Sequence, residues 1–132
     1  MARYERFEDL PVWRTAAELY NAVMDLLENP GCPLTHGFRN QLERAALSVS
    51  NNVAEGFERV TTPELLGFIA IARGSAGEVR SMLRVVGERP RMRPFSPDVQ
   101  VIQDLAASCA RQLTAWTGSI NRSPIAGKRH RT

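Results

Sequence analysis

Apolar residues recur every three or four positions along four long stretches of the chain, the spacing that puts them on one side of a helix. In the first stretch, about residues 9–29, Leu10, Trp13, Ala17, Tyr20, Met24 and Leu27 form the stripe, widened by Ala16 and Val23. Pro11 is tolerated in a first turn, and Asn29-Pro30-Gly31 reads as a stop. The second, about residues 35–57, has Thr35 as a helix cap and Phe38, Leu42, Ala45, Val49 and Val53 on its buried side. The third, about residues 63–86, carries Leu65, Phe68, Ala72, Ala76, Val79, Leu83 and Val86 beside Ile69 and Met82. Either Thr62, or Thr61 with Glu64, caps it. Gly67, Gly74 and Gly77 each weaken that helix by about 1 kcal/mol relative to Ala, which predicts close packing against another backbone. A proline-rich loop, residues 87–97, leads to the fourth stretch, about residues 97–121. Ser96-Pro97-Asp98 is its start, and Ile102, Leu105, Ala106, Cys109, Leu113, Trp116 and Ile120 are its stripe.

Four helices of this length with short turns predict an all-α fold, an up-down-up-down antiparallel four-helix bundle over residues 1–121. Residues 122–132, rich in basic side chains with Pro and Gly, are expected to be a disordered tail. The organising stretch is residues 44–56, RAALSVSNNVAEG. Ala45, Ala46, Val49, Val53 and Gly56 lie along one side, and Ser48, Asn52 and Glu55 along the next. An Asn beside an apolar stripe needs partners, because leaving it unsatisfied costs about 1–3 kcal/mol. Folding the first two helices together sets Trp13 opposite Asn52 and predicts that the indole N–H or a backbone group satisfies the amide. Folding the second onto the third brings Arg44 near Ser75 and Glu78 and predicts an Arg44–Glu78 ion pair. Gly56 is expected to end the second helix in a left-handed conformation.

Charge changes the picture more than composition does. Residues 1–83 hold 8 Arg against 11 Asp and Glu, a balance of −3, whereas residues 84–132 hold 9 basic residues against 3 acids, a balance of +6. A basic half of this kind points to an acidic partner, nucleic acid first. Arg84, Arg89, Arg91 and Arg93 cluster at the end of the third helix and its loop; Arg111 and Arg122 follow on the fourth, with Lys128, Arg129 and Arg131 in the tail. Such residues contact phosphates without reading bases. No run reaches the ~20 apolar residues of a membrane span, and the N-terminus lacks the apolar centre of a secretory signal. A cytoplasmic protein with no membrane association is expected. Cys32 and Cys109 suit neither a disulfide framework nor a zinc site; Cys109 falls on an apolar stripe, as a small buried hydrophobe would.

Catalysis finds little to work with. Ser48, Ser50 and Ser75 lie near acids, but a serine nucleophile needs a base, and His36 and His130 sit at a helix start and in the tail. A dimetal bundle site needs Glu-x-x-His, which does not occur. Arg73-Gly74-Ser75-Ala76-Gly77 lies inside a helix, so it is no phosphate-cradling loop. Glu43, Glu55 and Glu78 read as surface or seam acids paired with Arg. No enzyme activity, cofactor, metal or small-molecule substrate is expected.

SVSNNVAEG, preceded by QLERAA (residues 41–46) and followed by IARGSAGEV (residues 71–79), resembles the signature of the four-helix bundle proteins encoded by intervening sequences in bacterial 23S ribosomal RNA. FEDLPVW, residues 7–13, is similar to that family's opening. The family pattern usually has Pro where Ser50 stands and a small residue where Asn51 stands, which touches the kink and packing of the second helix but not the fold. The same superfamily includes the accessory variability determinant (Avd) proteins of diversity-generating retroelements, and AWTGSINRSPIAGK at the end of this chain is similar to their end. The resemblance implies a ring-shaped homopentamer and, in the Avd proteins, binding to RNA and a reverse transcriptase. Ala46, Leu47, Leu66 and Gly74 are expected to be available for a subunit contact. Two functions follow: a non-enzymatic accessory protein that binds RNA or a nucleoprotein through its basic surface, or an oligomeric protein–protein scaffold with no nucleic-acid role.

Overall fold

Proline decides where the first long helix begins. The residue before a proline is driven out of the helical region, and Leu10 accordingly sits at φ −69°, ψ 127° with Pro11 at the first helical position. The computed structural model describes residues 4–122. Phe7–Asp9 form a separate 3₁₀ turn and α1 spans Pro11–Glu28, so the start expected at Asp9 comes two residues later. α2 spans His36–Phe57, α3 Thr62–Gly87 and α4 Ser96–Asn121, with a second 3₁₀ segment, Pro90–Phe95, between α3 and α4. No strand occurs among the described residues. α1 packs on α2 and α4, and α3 packs on the same two, so every long helix has two neighbours.

The caps follow the side chains. Thr35 Oγ1 accepts the Phe38 N–H at 3.3 Å. At α3 the cap is Thr61, not Thr62: its hydroxyl oxygen accepts the Glu64 N–H at 3.4 Å, and the hydroxyl donates to the Glu64 carboxylate at 2.9 Å. Ser96 lies inside α4; the residue before it, Phe95, makes no side-chain cap bond. Arg39, unremarked in the sequence, is a clamp. Its guanidinium donates to the carbonyls of Leu27, Cys32 and Leu34, tying the end of α1 and the following turn to α2.

The centre of the α1 stripe is Val12, Ala16, Leu19, Val23 and Leu26, all buried. Of the expected stripe, Leu10, Ala16, Val23 and Leu27 are buried as expected, whereas Trp13, Ala17, Tyr20 and Met24 are half-buried. That is a rotation by one residue, and the aromatics explain it. Trp13 and Tyr20 keep a polar tip near water while their rings cover the core margin. The Tyr20 hydroxyl donates to Glu43 at 2.9 Å, which holds its pKa above the ordinary tyrosine value. On α4, Cys109 is fully buried as expected. Burial pushes its thiol up to about 12, with a smaller push from Glu18.

Residues 44–56 behave partly as expected. Ala45, Ala46, Val49, Ser50, Val53 and Gly56 are buried. The helix runs unbroken through Ser50, whose hydroxyl donates to the Leu47 carbonyl at 3.2 Å. Asn52 is half-buried, and its amide donates to the Ser48 carbonyl at 2.8 Å and to the Ser48 hydroxyl at 2.9 Å. A backbone group therefore satisfies Asn52, and Trp13 takes no part; its ring packs on Phe7 at 5.4 Å between centroids. Ser48 Oγ lies 2.8 Å from Ser75 Oγ. The expected Arg44–Glu78 pair does not form: Glu78 accepts the Gln41 amide at 3.0 Å, and Arg44 is exposed, where an ion pair gains little.

Glycine roles are reversed. Gly56 adopts no left-handed conformation; α2 continues to Phe57 and Glu58 closes it in the right-handed region. What Gly56 supplies is room, since a Cβ there would stand 3.0 Å from Phe68 Cβ and 3.2 Å from Leu65 Cδ1. Gly67, Gly74 and Gly77, expected against backbone, have nothing within 4 Å of where a Cβ would be.

Candidate nucleic-acid interface

The loop after α3 is where the basic cluster acquires geometry. A 3₁₀ helix has three residues per turn, so positions i and i+3 share a face. Met92 and Phe95 are that face here: both are buried, and the Phe95 ring reaches the turn between α1 and α2 beside Gly31. Arg91 and Arg93 fall on the other two faces and are exposed. Arg89 holds the segment at its start, its N–H bonded to the Val86 carbonyl and its carbonyl to the Met92 N–H. Arg84 stands in the last turn of α3, where a cation also suits the helix dipole. Two apolar anchors thus fix a stiff, proline-bearing segment that presents guanidinium groups to solvent.

Those groups form no ion pair among the described residues. Among the described residues, ion pairs join only Arg6 to Glu8 and Arg59 to Glu55. Arg84, Arg89, Arg91, Arg93, Arg111 and Arg122 have no carboxylate at ion-pair distance among the described residues. Glu55 pairs within its own helix, at 2.8 Å, and Arg59 also lies over the Phe68 ring at 4.8 Å.

The structure does not bring all the expected basic residues together. Arg84, Arg89, Arg91 and Arg93 gather near the start of α4, whereas Arg122 follows its end; 26 helical residues span about 39 Å. Arg122 lies back over Gly118. Arg111 is exposed between them. Lys128, Arg129 and Arg131, with the rest of the expected tail, lie outside the described residues.

Two residues join the interface that charge counting overlooked, because they belong to the acidic part of the chain. Arg73 and Arg80 are exposed on α3 with no carboxylate partner among the described residues, and Arg73, Gly77, Arg80 and Arg84 recur at spacings of four, three and four. That helical spacing was the available signal. Arg73 reaches across to the Thr114 hydroxyl at 3.4 Å, and Gln103 of α4 donates to the Arg80 carbonyl at 3.2 Å. Past the Gln103 contact, toward the end of α3, the seam opens into a groove of about 790 Å³, lined by Arg80, Arg84 and Glu88 on one wall and Gln100, Gln103 and Asp104 on the other.

Nothing in the described part assembles for metal chemistry: no three His, Cys, Asp or Glu side chains come within a common ligand sphere among the described residues. Ser48 and Ser75 face each other and Asn52, with no imidazole among their bonded partners. No described helix is long and apolar enough to cross a membrane.

A family model described as 23S rRNA-intervening sequence protein matches residues 8–115. Among solved structures, the chain is similar to a protein of unknown function from the S23 ribosomal protein family of Bacteroides thetaiotaomicron VPI-5482, with a TM-score of 0.70 at 15% identity. The match covers 80% of this chain and 97% of that one, and at such identity it speaks for the fold alone. No curated protein matches.

Proposed function

We propose, on the premise that this chain belongs to the 23S rRNA-intervening sequence protein family, that it is a non-enzymatic accessory protein that binds RNA or a nucleoprotein through its basic surface. The observation that carries this reading is the anchored 3₁₀ segment. Met92 and Phe95 hold it, while Arg89, Arg91 and Arg93 stand exposed beside Arg84, with no carboxylate at ion-pair distance among the described residues. An evenly charged surface for solubility would not need this; rigid placement lowers the ordering entropy of phosphate contact. Binding through phosphates falls steeply with salt and selects sequence weakly. The test is retention of structured RNA between about 50 and 200 mM salt. The variant R89A/R91A/R93A is expected to weaken binding by more than about tenfold and to lower the salt slope by about 2–3. Unchanged binding would remove the loop from the site.

In this reading the four helices follow an up-down-up-down order, supported by the short connections at residues 28–36 and 57–62. The chain assembles with itself as a ring of five in the cytoplasm, and a reverse transcriptase is the protein partner to be sought by co-purification. The family resemblance supports these points. One structural feature supports self-association: the apolar side chains of Leu47 on α2 and Ile71 on α3, two helices that pack together, are exposed at 40% and 53%. Ala46, fully buried, is not available for such a contact, and Leu66 is half-buried. The same patch favours the scaffold reading as the alternative. L47E/I71E is expected to lower the mass seen by light scattering to that of one chain; an unchanged mass would place the contact elsewhere.

A further inference from the structure

We infer that Arg39 is the positioning residue of the basic segment: it builds, from the turn between α1 and α2, the seat on which Phe95 rests, and so sets where Arg91 and Arg93 stand. The consequence for binding rests on the RNA-binding reading; the placement of the segment does not. Arg39 belongs to the start of α2, its own N–H bonded to the Thr35 carbonyl at 2.9 Å. Helical side chains lean toward the N-terminus, and this one reaches back to the turn. Its Nε donates to the Leu34 carbonyl at 3.0 Å, one Nη to the Cys32 carbonyl at 2.9 Å and the other to the Leu27 carbonyl. Leu27 lies in the last turn of α1, whose final carbonyls have no partner inside the helix and which carries no basic residue of its own. Arg39 supplies both the donor and the cation that such an end favours.

The turn is also bonded from within. The Asn29 side-chain oxygen accepts the Gly31 N–H at 3.0 Å, and the Asn29 carbonyl accepts the Cys32 N–H at 3.0 Å. Cys32 is buried in the same apolar cluster as Met92 and Phe95, and a Cβ at Gly31 would stand 3.6 Å from the Phe95 ring. Phe95 closes the Pro90–Phe95 segment, so a shift of its seat moves the stretch that carries Arg91 and Arg93. The role calls for arginine. A planar fork holds diverging carbonyls together, whereas a lysine ammonium is a point charge on a flexible stem. Among the described residues Arg39 makes no ion pair, so its part here is geometric.

Limited trypsin digestion of the full chain reads the placement directly. Arg89 and Arg93 each precede a proline, a bond trypsin does not cut, so Arg91–Met92 is the one cleavable bond of residues 90–95. Met92 is buried, and cleavage there requires the segment to lift. R39K keeps the charge and loses the fork. G31L pushes on Phe95 from the other side and leaves the Arg39 bonds in place. Both are expected to speed cleavage at Arg91–Met92 by about tenfold and to weaken structured-RNA binding by about three- to tenfold. Neither removes a phosphate contact, so the salt slope should keep its wild-type value, unlike that of R89A/R91A/R93A. R39K cut at the wild-type rate overturns the inference and leaves the RNA-binding reading intact. Acceleration at every arginine, in step with a lowered melting temperature, is the mark of a merely structural residue and overturns it too. So does faster cleavage with RNA affinity unchanged from a wild type that binds. If wild type binds no RNA while both variants are cut faster at Arg91–Met92 alone, the placement stands and the RNA-binding reading falls.

Discussion

The two seams on either side of α3 are built from similar residues and end up opposite in character. Against α2 the seam is closed: Gly56 lets Phe68 and Leu65 approach, Ser48 bonds to Ser75, and Gln41 to Glu78. Against α4 the seam gapes over Gly77 and Ala107, bridged by Arg73 to Thr114 and Gln103 to the Arg80 carbonyl. A glycine at one seam admits a neighbour, and a glycine at the other leaves a void. The lesson is that a small residue permits an approach but does not cause one; the large side chain opposite decides.

The strongest way to break this contrast is at Gly56. G56L drives side-chain atoms into the Phe68 and Leu65 positions and is expected to destabilise by about 2–3 kcal/mol in urea unfolding. Tolerance of leucine there would mean that the closed seam is looser than its contacts say.

The next effect tests whether the open seam stays a surface trench over a dry interior. Cys109 of α4 belongs to that interior, fully buried, with its thiol pushed up from 9.0 to about 12. The folded pKa is raised, so the stability the neutral thiol gives is complete below about pH 9 and is lost as pH rises toward about 12. Unfolding free energy should fall by about 1 kcal/mol between pH 9 and pH 10, and C109A should flatten that fall. A thiol that reacts quickly with alkylating reagent at pH 8 would show that water reaches it.

Smaller effects sharpen the comparison. S48A strips Ser75 of its partner and Asn52 of one of its two, with an expected loss of about 1 kcal/mol. G77A should act in the opposite sense, stabilising by about 0.5–1 kcal/mol, because it gains helix propensity in open space. Equal signs for G56L and G77A would erase the distinction between the seams.

Much of the fold could be read before any coordinates. Thr35 as a cap, the buried run Leu42, Ala45, Val49 and Val53, and the breaks near Pro30 and residue 59 are local matters of spacing and turn chemistry. The phase of α1 was harder, because Trp13 and Tyr20 are large enough to look central while their polar tips hold them at the margin. At the candidate interface, Arg84, Arg89, Arg91 and Arg93 were visible as a cluster. Arg73 and Arg80 were not, since a count along the chain dilutes them among acids that face elsewhere, such as Glu78 toward Gln41.

The sequence alone determined four helices, their limits to within a few residues, and family membership, because periodicity, caps and motifs are written in consecutive residues. Only the tertiary structure decided which glycine is crowded, which amide answers Asn52, and which arginines share a groove. Those outcomes depend on what stands across a seam, tens of residues away in the chain, and a helix's own spacing carries no record of its neighbour's side chains.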